Sequence, residues 1–309
     1  MKAVSEAPSK AIITGEHFVV HGAWALAAAL PRKVRVEIKP ASRFSVVSDR
    51  FGEPRSPELA PISAVVEAMA REFSVDPKVS IRIASGVPGG AGLGSSAATM
   101  VAAASAFSRL NKLGLGVDEV IRCAMVGEHH IHGKPSGIDP TICAHGGVLL
   151  FRPGSRPRKL SLDSPRSLII SHSGQTRSTK GQIGRVSKSR AKSPRFFSML
   201  VEGVSELSLA AAERFRAGDM KGLGGLLTVN HALLRTVGVS NETLDRIVDL
   251  FGSMGSYGAK LTGAGGGGSV LAVAPEAKEK SIVSGLSARG FETFRVKIPA
   301  EGVRSWLER

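Results

Sequence analysis

Val87-Pro-Gly-Gly-Ala-Gly-Leu-Gly-Ser-Ser96, running into the alanine-rich residues 97–110, is the stretch from which the rest of the chain can be read. Four glycines in six positions leave the backbone bare. The alternation of VSIRIA at 79–84 predicts a strand before the glycines, and the run after them predicts a helix. A glycine loop at such a junction turns several N–H groups toward one point, and the helix N-terminus adds partial positive charge. That pairing suits phosphate. Ser95 and Ser96 stand at the helix start, where one hydroxyl can cap the helix and one can reach a metal; the plain alternative is a glycine turn with an ordinary serine cap. The loop is no Walker A, because G-x-x-x-x-G-K-[ST] is missing and no Lys follows the glycines.

Outward from this loop, strands are expected at residues 10–14 and 33–39 and a helix at 61–73, with Pro61 suited to its first turn. The apolar runs 22–30 and 98–107 are too short to span a bilayer and read as buried helix. A helix is expected from Val117 to about His130, then a turn-rich segment at 133–140 and a strand at 147–151. Residues 152–165 are rich in Pro and Arg and read as a connector. Beyond it come a strand at 168–171 and helices near 195–216, 218–236 and 241–255. Strands at 258–261 and 269–274 flank a glycine run, and a helix at 276–288 and a strand at 293–298 close the chain. Strands and helices mix without strict βαβ alternation, so an α+β fold is expected. Two domains follow, 1–160 and 161–309, with the last residues able to pack back on the first.

The 309 residues suffice for that, and 42% hydrophobic with 22% charged content describes a globular chain. The first ten residues carry no apolar signal core, so a cytoplasmic protein with no membrane partner is expected. Cys123 and Cys143 have no second pair to complete a zinc knuckle and read as small buried hydrophobes. The net charge of +15 is concentrated between Arg152 and Arg195, where twelve Lys and Arg face one acid, Asp163. Few aromatics and no recognisable motif accompany that charge, so a solvated basic face is expected and nucleic acid is not.

A second glycine run, Thr262-Gly-Ala-Gly-Gly-Gly-Gly268, matches G-x-G-x-x-G, but neither H-R-D nor D-F-G exists and a strand follows it, against both protein-kinase and Rossmann readings. Four glycines in a row still mean that the backbone closely approaches something. Lys10, Glu16, Glu128 and Asp139 are the charged candidates for chemistry, Asp139 in the turn PSGIDP where backbone would hold it. Each alone is an ordinary surface charge. Together they could supply a cation, a metal ligand and a carboxylate, which phosphoryl transfer requires. His129, His130, His132 and His145 do not fit H-E-x-x-H and lack a cysteine to complete a zinc site.

Taken in order, these motifs resemble the GHMP family of small-molecule kinases over nearly the whole chain. Ala7-Pro-Ser-Lys10 with Gly15-Glu-His-x-Val-Val-His-Gly22 resembles the family's first motif, PGGAGLGSSAA at 88–98 its phosphate loop, and KLTGAGGGGS at 260–269 its third. The Gly-Glu-His form and GEHHIHGKPSGID at 127–139 resemble the members that phosphorylate mevalonate, and Ser178-Thr-Lys180 and Asn230-His-x-Leu-Leu-x-x-x-Gly-Val239 add to the match. Ser9 stands where Gly is usual and Lys134 where Asn is common.

The resemblance implies a two-domain α+β fold with the active site in the cleft, and ATP and mevalonate as partners. It allows a homodimer. It implies Asp139 as the carboxylate beside the attacking hydroxyl and Lys10 as the cation that lowers that hydroxyl's pKa. Pro88, Gly89, Gly90, Ala91, Gly92, Leu93, Gly94, Ser95, Ser96 and Ala97 would hold ATP. Ser96 and Glu128 would hold Mg²⁺. Glu16, His17, Thr179 and Thr262 would line the acceptor pocket. A phosphomevalonate kinase or a kinase acting on the 3-hydroxyl is the near alternative, and a basic nucleic-acid-binding module the remote one.

Overall fold

The short strand expected at 10–14 is the end of a much longer one. In the computed structural model, which describes residues 1–49, 59–175 and 179–309 (side chains of 179 and 180 excluded), β1 runs Lys2–Thr14. From Ala7 onward β1 is buried at every position, without the alternation of a one-sided strand. It touches α2 (Ser95–Leu110) and α4 (Ile138–His145) as well as α6 (Pro194–Ala217) and α7 (Met220–Thr236). A strand covered on both faces reads as a continuous apolar run.

The first sheet has the order β11-β1-β2-β4-β3. Its members are β2 (Ala25–Pro40), β3 (Ser45–Ser48), β4 (Val79–Ser85) and β11 (Arg304–Glu308), with β5 (Val148–Phe151) also on β2 and β6 (Arg158–Lys159) on β5. Residues 22–30 were expected as helix, and Ala25–Leu30 is strand instead. This segment pairs with β1 on one side and β5 on the other. Leu26, Ala28 and Leu30 enter one apolar cluster while Ala25, Ala27 and Ala29 enter another. That is a period of two. Alanine's helix propensity masked it, and pairing on both edges overrode propensity.

The second sheet is antiparallel, in the order β10-β7-β9-β8, with β7 (Arg166–His172), β8 (Gly258–Thr262), β9 (Ser269–Val273) and β10 (Glu292–Ile298). Helices α7, α8 (Glu242–Ser253) and α9 (Glu276–Ser287) pack against it. The architecture is mixed α+β built on two sheets, as expected. Helices α1 (Ala60–Phe73) and α3 (Val117–His132) lie close to the segments read as helix. Two helices do not. α4 starts inside the segment read as turns, and α5 (Thr179–Lys192) lies in the basic stretch. Among its described residues α5 buries only Gln182 and Val186, one turn apart, so its polar sequence shows almost no apolar face.

The sheets are joined where the site lies. The Thr262 hydroxyl accepts from Ile12 N (3.2 Å) and donates to Ile12 O (3.0 Å), tying β8 to β1. Both cysteines are buried and free. Among the described residues no helix is long and apolar enough to cross a membrane.

Candidate active site

Gly90, Gly92 and Gly94 all have positive φ, so the loop between β4 and α2 follows a path that L side chains rarely take. Gly94 is constrained twice, because a Cβ there would come within 2.6 Å of Lys10 Cγ. The loop is held from both halves of the molecule. Lys10 N–H donates to Leu93 O (2.8 Å), and Ser269 Oγ, just after the second glycine run, donates to Ala91 O (2.8 Å). Neither serine caps α2, whose N-cap is Gly94. Ser95 Oγ lies 3.4 Å from Ser85 Oγ, and Ser96 Oγ donates to Glu128 Oε1 at 3.2 Å.

Above the loop lies a cavity of about 600 Å³, within the range of nucleotide-sized ligands. Pro88 and residues 90–97 line it, whereas Gly89 does not. Leu59, Pro61, Ile62 and Ile83 add apolar lining, and Glu128, His130, His132 and Asp139 polar lining. A smaller cavity of about 140 Å³ adjoins it, walled by Lys10, Glu16, His17, Lys134 and the turn before α4. Glu128, His132 and Asp139 belong to both walls. The two spaces therefore share a wall that carries two carboxylates.

Asp139 is not in a loop, as the Gly and Pro around it had suggested. It is the second residue of α4, after a left-handed Gly137. Pro140 follows it within the first turn, where a missing N–H costs nothing, so the end of the segment read as turns opens a helix. Lys10 Nζ lies 2.9 Å from Asp139 Oδ2, with the lysine almost fully buried. Asp139 Oδ1 is buried with no hydrogen-bond partner among the described residues. His17 takes a left-handed φ of 62°, and its Nε2 sits 2.9 Å from Ala264 O in the second glycine run.

One of the expected pocket residues stands elsewhere, and one lies outside what the structure describes. Thr262 is fully buried, lines neither cavity, and spends its hydroxyl on the β1 backbone. Thr179 opens α5, and its side chain, with residues 176–178 and the side chain of Lys180, lies outside the described residues. Conversely, sequence reasoning singled out neither Lys134 nor Lys260 as a site residue. Lys134 stands at the wall of the smaller cavity, and Lys260 makes a fully buried ion pair with Glu16. A charge inside the otherwise apolar strand GAKLT was the available signal for Lys260.

Glu128 is 2% exposed, and burial, aided by the charge of Asp139, raises its carboxyl from the ordinary 4.5 to about 7. A buried carboxylate whose hydrogen bond comes from a neutral hydroxyl gains from a divalent cation. Ser96 and Glu128 thus fit Mg²⁺, which takes one or two carboxylates and leaves the rest of its shell to phosphate and water. The sign of the pH effect follows. Between about 4.5 and 7 the folded, metal-free protein holds a proton that the unfolded chain has released. Its stability should therefore fall as pH rises through that window, by about 3 kcal/mol from this group. Denaturant midpoints of the metal-free protein between pH 5 and 8 check this, and in Glu128→Gln that component of the slope should be gone.

Family models described as the N-terminal and C-terminal domains of GHMP kinases match residues 60–147 and 210–292. A mevalonate kinase of Aeropyrum pernix is 33% identical over 97% of both chains. The crystal structure of the L. major mevalonate kinase in complex with R-mevalonate is 30% identical, with a TM-score of 0.82 over 96% of both chains. That of the Methanococcus jannaschii mevalonate kinase is 25% identical, with a TM-score of 0.83 over 96% of this chain and 98% of the other.

Proposed function

The chain belongs to the GHMP kinase family, and from that premise we propose that it transfers the γ-phosphoryl group of ATP to the 5-hydroxyl of (R)-mevalonate. The observation that carries the reading is the meeting of a nucleotide-sized cavity and a small one at Asp139 and Glu128. A donor phosphate in the first and an alcohol in the second would face each other across these carboxylates. The names of the relatives supply the choice of alcohol, and Lys134 at the smaller wall offers a cation to an acid such as mevalonate.

The residues divide the work by their chemistry. Backbone N–H groups of the 88–97 loop and the α2 N-terminus hold phosphate oxygens. Ser96 and Glu128 would hold Mg²⁺, which when bound neutralises charge on the β- and γ-phosphates. The Asp139 carboxylate, at the walls of both cavities, accepts the hydroxyl proton. Lys10 keeps that carboxylate oriented through Oδ2 and sets a positive charge beside the oxygen that attacks. Glu16 and His17 line the acceptor side.

A substrate panel tests the proposal: purified protein, ATP and Mg²⁺ with mevalonate, its 5-phosphate, homoserine or galactose. Turnover of mevalonate with phosphate on O5, located by phosphorus NMR, is expected. Turnover of phosphorylated acceptors alone, or phosphate on O3, would overturn it.

The basic helix α5 should act by steering. Arg185, Lys188, Arg190 and Lys192 are exposed, and Ile183 on the same helix lines the smaller cavity. Their field attracts anionic ATP and mevalonate over a distance that salt shortens. Changing all four to Gln should lower kcat/KM several-fold at 20 mM salt and leave it nearly unchanged at 500 mM, conditions chosen to bracket the Debye length of about 10 Å at 0.1 M. Sub-micromolar DNA binding at physiological salt, lost in this variant while kinase rates stay constant, would assign the helix to a polyanion instead.

A further inference from the structure

Nothing in the sequence ranks the histidines at 129, 130, 132 and 145, but their places in the fold differ. His145 Nε2 lies 3.4 Å from Asp118 and lines neither cavity. His129 Nδ1 sits 2.9 Å from Gly133 O and also lines neither. His130 lines the larger cavity alone. His132 lines both, together with Glu128 and Asp139. Among the described residues these three make up the whole shared wall. Two of them are carboxylic acids, so only the histidine side chain brings an N–H to that wall.

The backbone fixes where this ring stands. His132 is the last residue of α3, one turn beyond Glu128. The helix stops there because Gly133 takes a φ of 69° and returns its N–H to His129 O at 2.9 Å, while Lys134 N–H donates to His132 O at 2.8 Å. His132 Nε2 lies 3.8 Å from Glu128 Oε2, which is too long for a hydrogen bond but sets the ring beside that carboxylate. The side chain is 26% exposed, so a ligand in either cavity can reach it. Lys10, the cation nearest Asp139, lines only the smaller cavity and holds its ammonium 2.9 Å from Asp139 Oδ2.

A phosphoryl group in transfer spreads negative charge over three equatorial oxygens. Two carboxylates on the wall it crosses oppose that charge, and a donor on the same wall offsets them where the charge develops. We infer that His132 is a catalytic residue whose ring N–H donates to an equatorial oxygen of the phosphoryl group as it moves from the larger cavity to the smaller. The inference rests on the reading that the larger cavity holds ATP and the smaller an alcohol, whichever alcohol that is. The bond from the attacking oxygen to the γ-phosphorus forms as the bond to the β,γ-bridging oxygen breaks, and the hydroxyl proton goes to Asp139. His132 gives up no proton. A neutral imidazole, which keeps one N–H, suffices.

Three variants test it: His132→Leu, which removes the donor; His132→Asn, whose amide reaches only the place of Nδ1; and His132→Gln, whose amide N–H can take the place of Nε2. The readouts are the single-turnover rate with mevalonate, the affinity for ADP alone, and the affinity for ADP with aluminium fluoride, Mg²⁺ and mevalonate, which mimics the group in flight. Leu and Asn should lower the single-turnover rate about a hundredfold, as the loss of one preorganised donor does, and weaken the aluminium fluoride complex in proportion. ADP affinity, the KM for mevalonate and the Mg²⁺ requirement should stay as in wild type, and Gln should recover most of the rate. The contrast between Asn and Gln carries the test if His132→Leu fails to fold. A near wild-type rate in Leu, a Gln variant no faster than Asn, or ADP affinity lost along with the aluminium fluoride complex overturns the inference. So does a raised Mg²⁺ requirement that saturating Mg²⁺ cures, since His132 would then act only by supporting Glu128. A wild type that phosphorylates another alcohol and not mevalonate overturns the proposed function alone, and the same measurements with that alcohol then decide the role of His132.

Discussion

Asp139→Asn should lower turnover about a hundredfold or more while the protein stays folded and binds ATP as before. The amide keeps the shape of the carboxylate and can still accept from Lys10 Nζ at the position of Oδ2, where that contact is now 2.9 Å. It loses the negative charge of a carboxylate that stands at the walls of both cavities, and puts a donor or a weak acceptor at the position of the buried Oδ1. A hundredfold loss corresponds to about 2.7 kcal/mol of transition-state stabilisation, within the span of a positioned base. The loss should fall on kcat, because the hydroxyl proton is handled only as the phosphoryl group transfers. Single-turnover rates and an ATP-analogue titration separate the two effects. Near wild-type single-turnover rates would remove Asp139 from the chemistry.

The second large effect is expected at Glu128. In Glu128→Gln the apparent Mg²⁺ requirement should rise at least tenfold, with little change in the KM for mevalonate. Ser96 Oγ donates to the nearly inaccessible Glu128, and both line the larger cavity, where the proposed function would have them hold the cation. The amide is a poorer ligand for a hard cation. Saturating Mg²⁺ should recover much of the rate, which separates a lost ligand from a lost fold. The position of Glu128 at both cavities allows the opposite result. An unchanged Mg²⁺ titration with a raised KM for mevalonate would assign the carboxylate to the acceptor.

Much of the site was legible in the chain because its parts are local. Glycines at alternate positions before a helix announce a bare-backbone loop, and Gly90, Gly92 and Gly94 do take the conformations that only glycine takes cheaply. Lys10, Glu16, His17, Glu128 and Asp139 were picked out from short motifs, and all five line one or both of the adjoining cavities. Where the reading failed, the local signal pointed the wrong way. Ala25–Leu30 has the composition of a helix and lies in a strand, because neighbours on both edges claim its hydrogen bonds. Residues 133–140 read as turns, and their last three form the first turn of α4.

What the sequence determined by itself was therefore the loop conformations, most of the elements, and the set of charged residues that line the two cavities. These depend on dihedral preference and hydrophobic period within a few residues. Only the tertiary structure decided who faces whom. It put Lys10 against Asp139 and withdrew Thr262 into the seam. It also paired Lys260 with Glu16 in a fully buried contact and left one oxygen each of Glu16 and Asp139 without a partner among the described residues. Ionic partnership and burial arise between segments far apart in the chain. Their energies depend on how much water the packing excludes, a quantity that no short stretch of sequence contains.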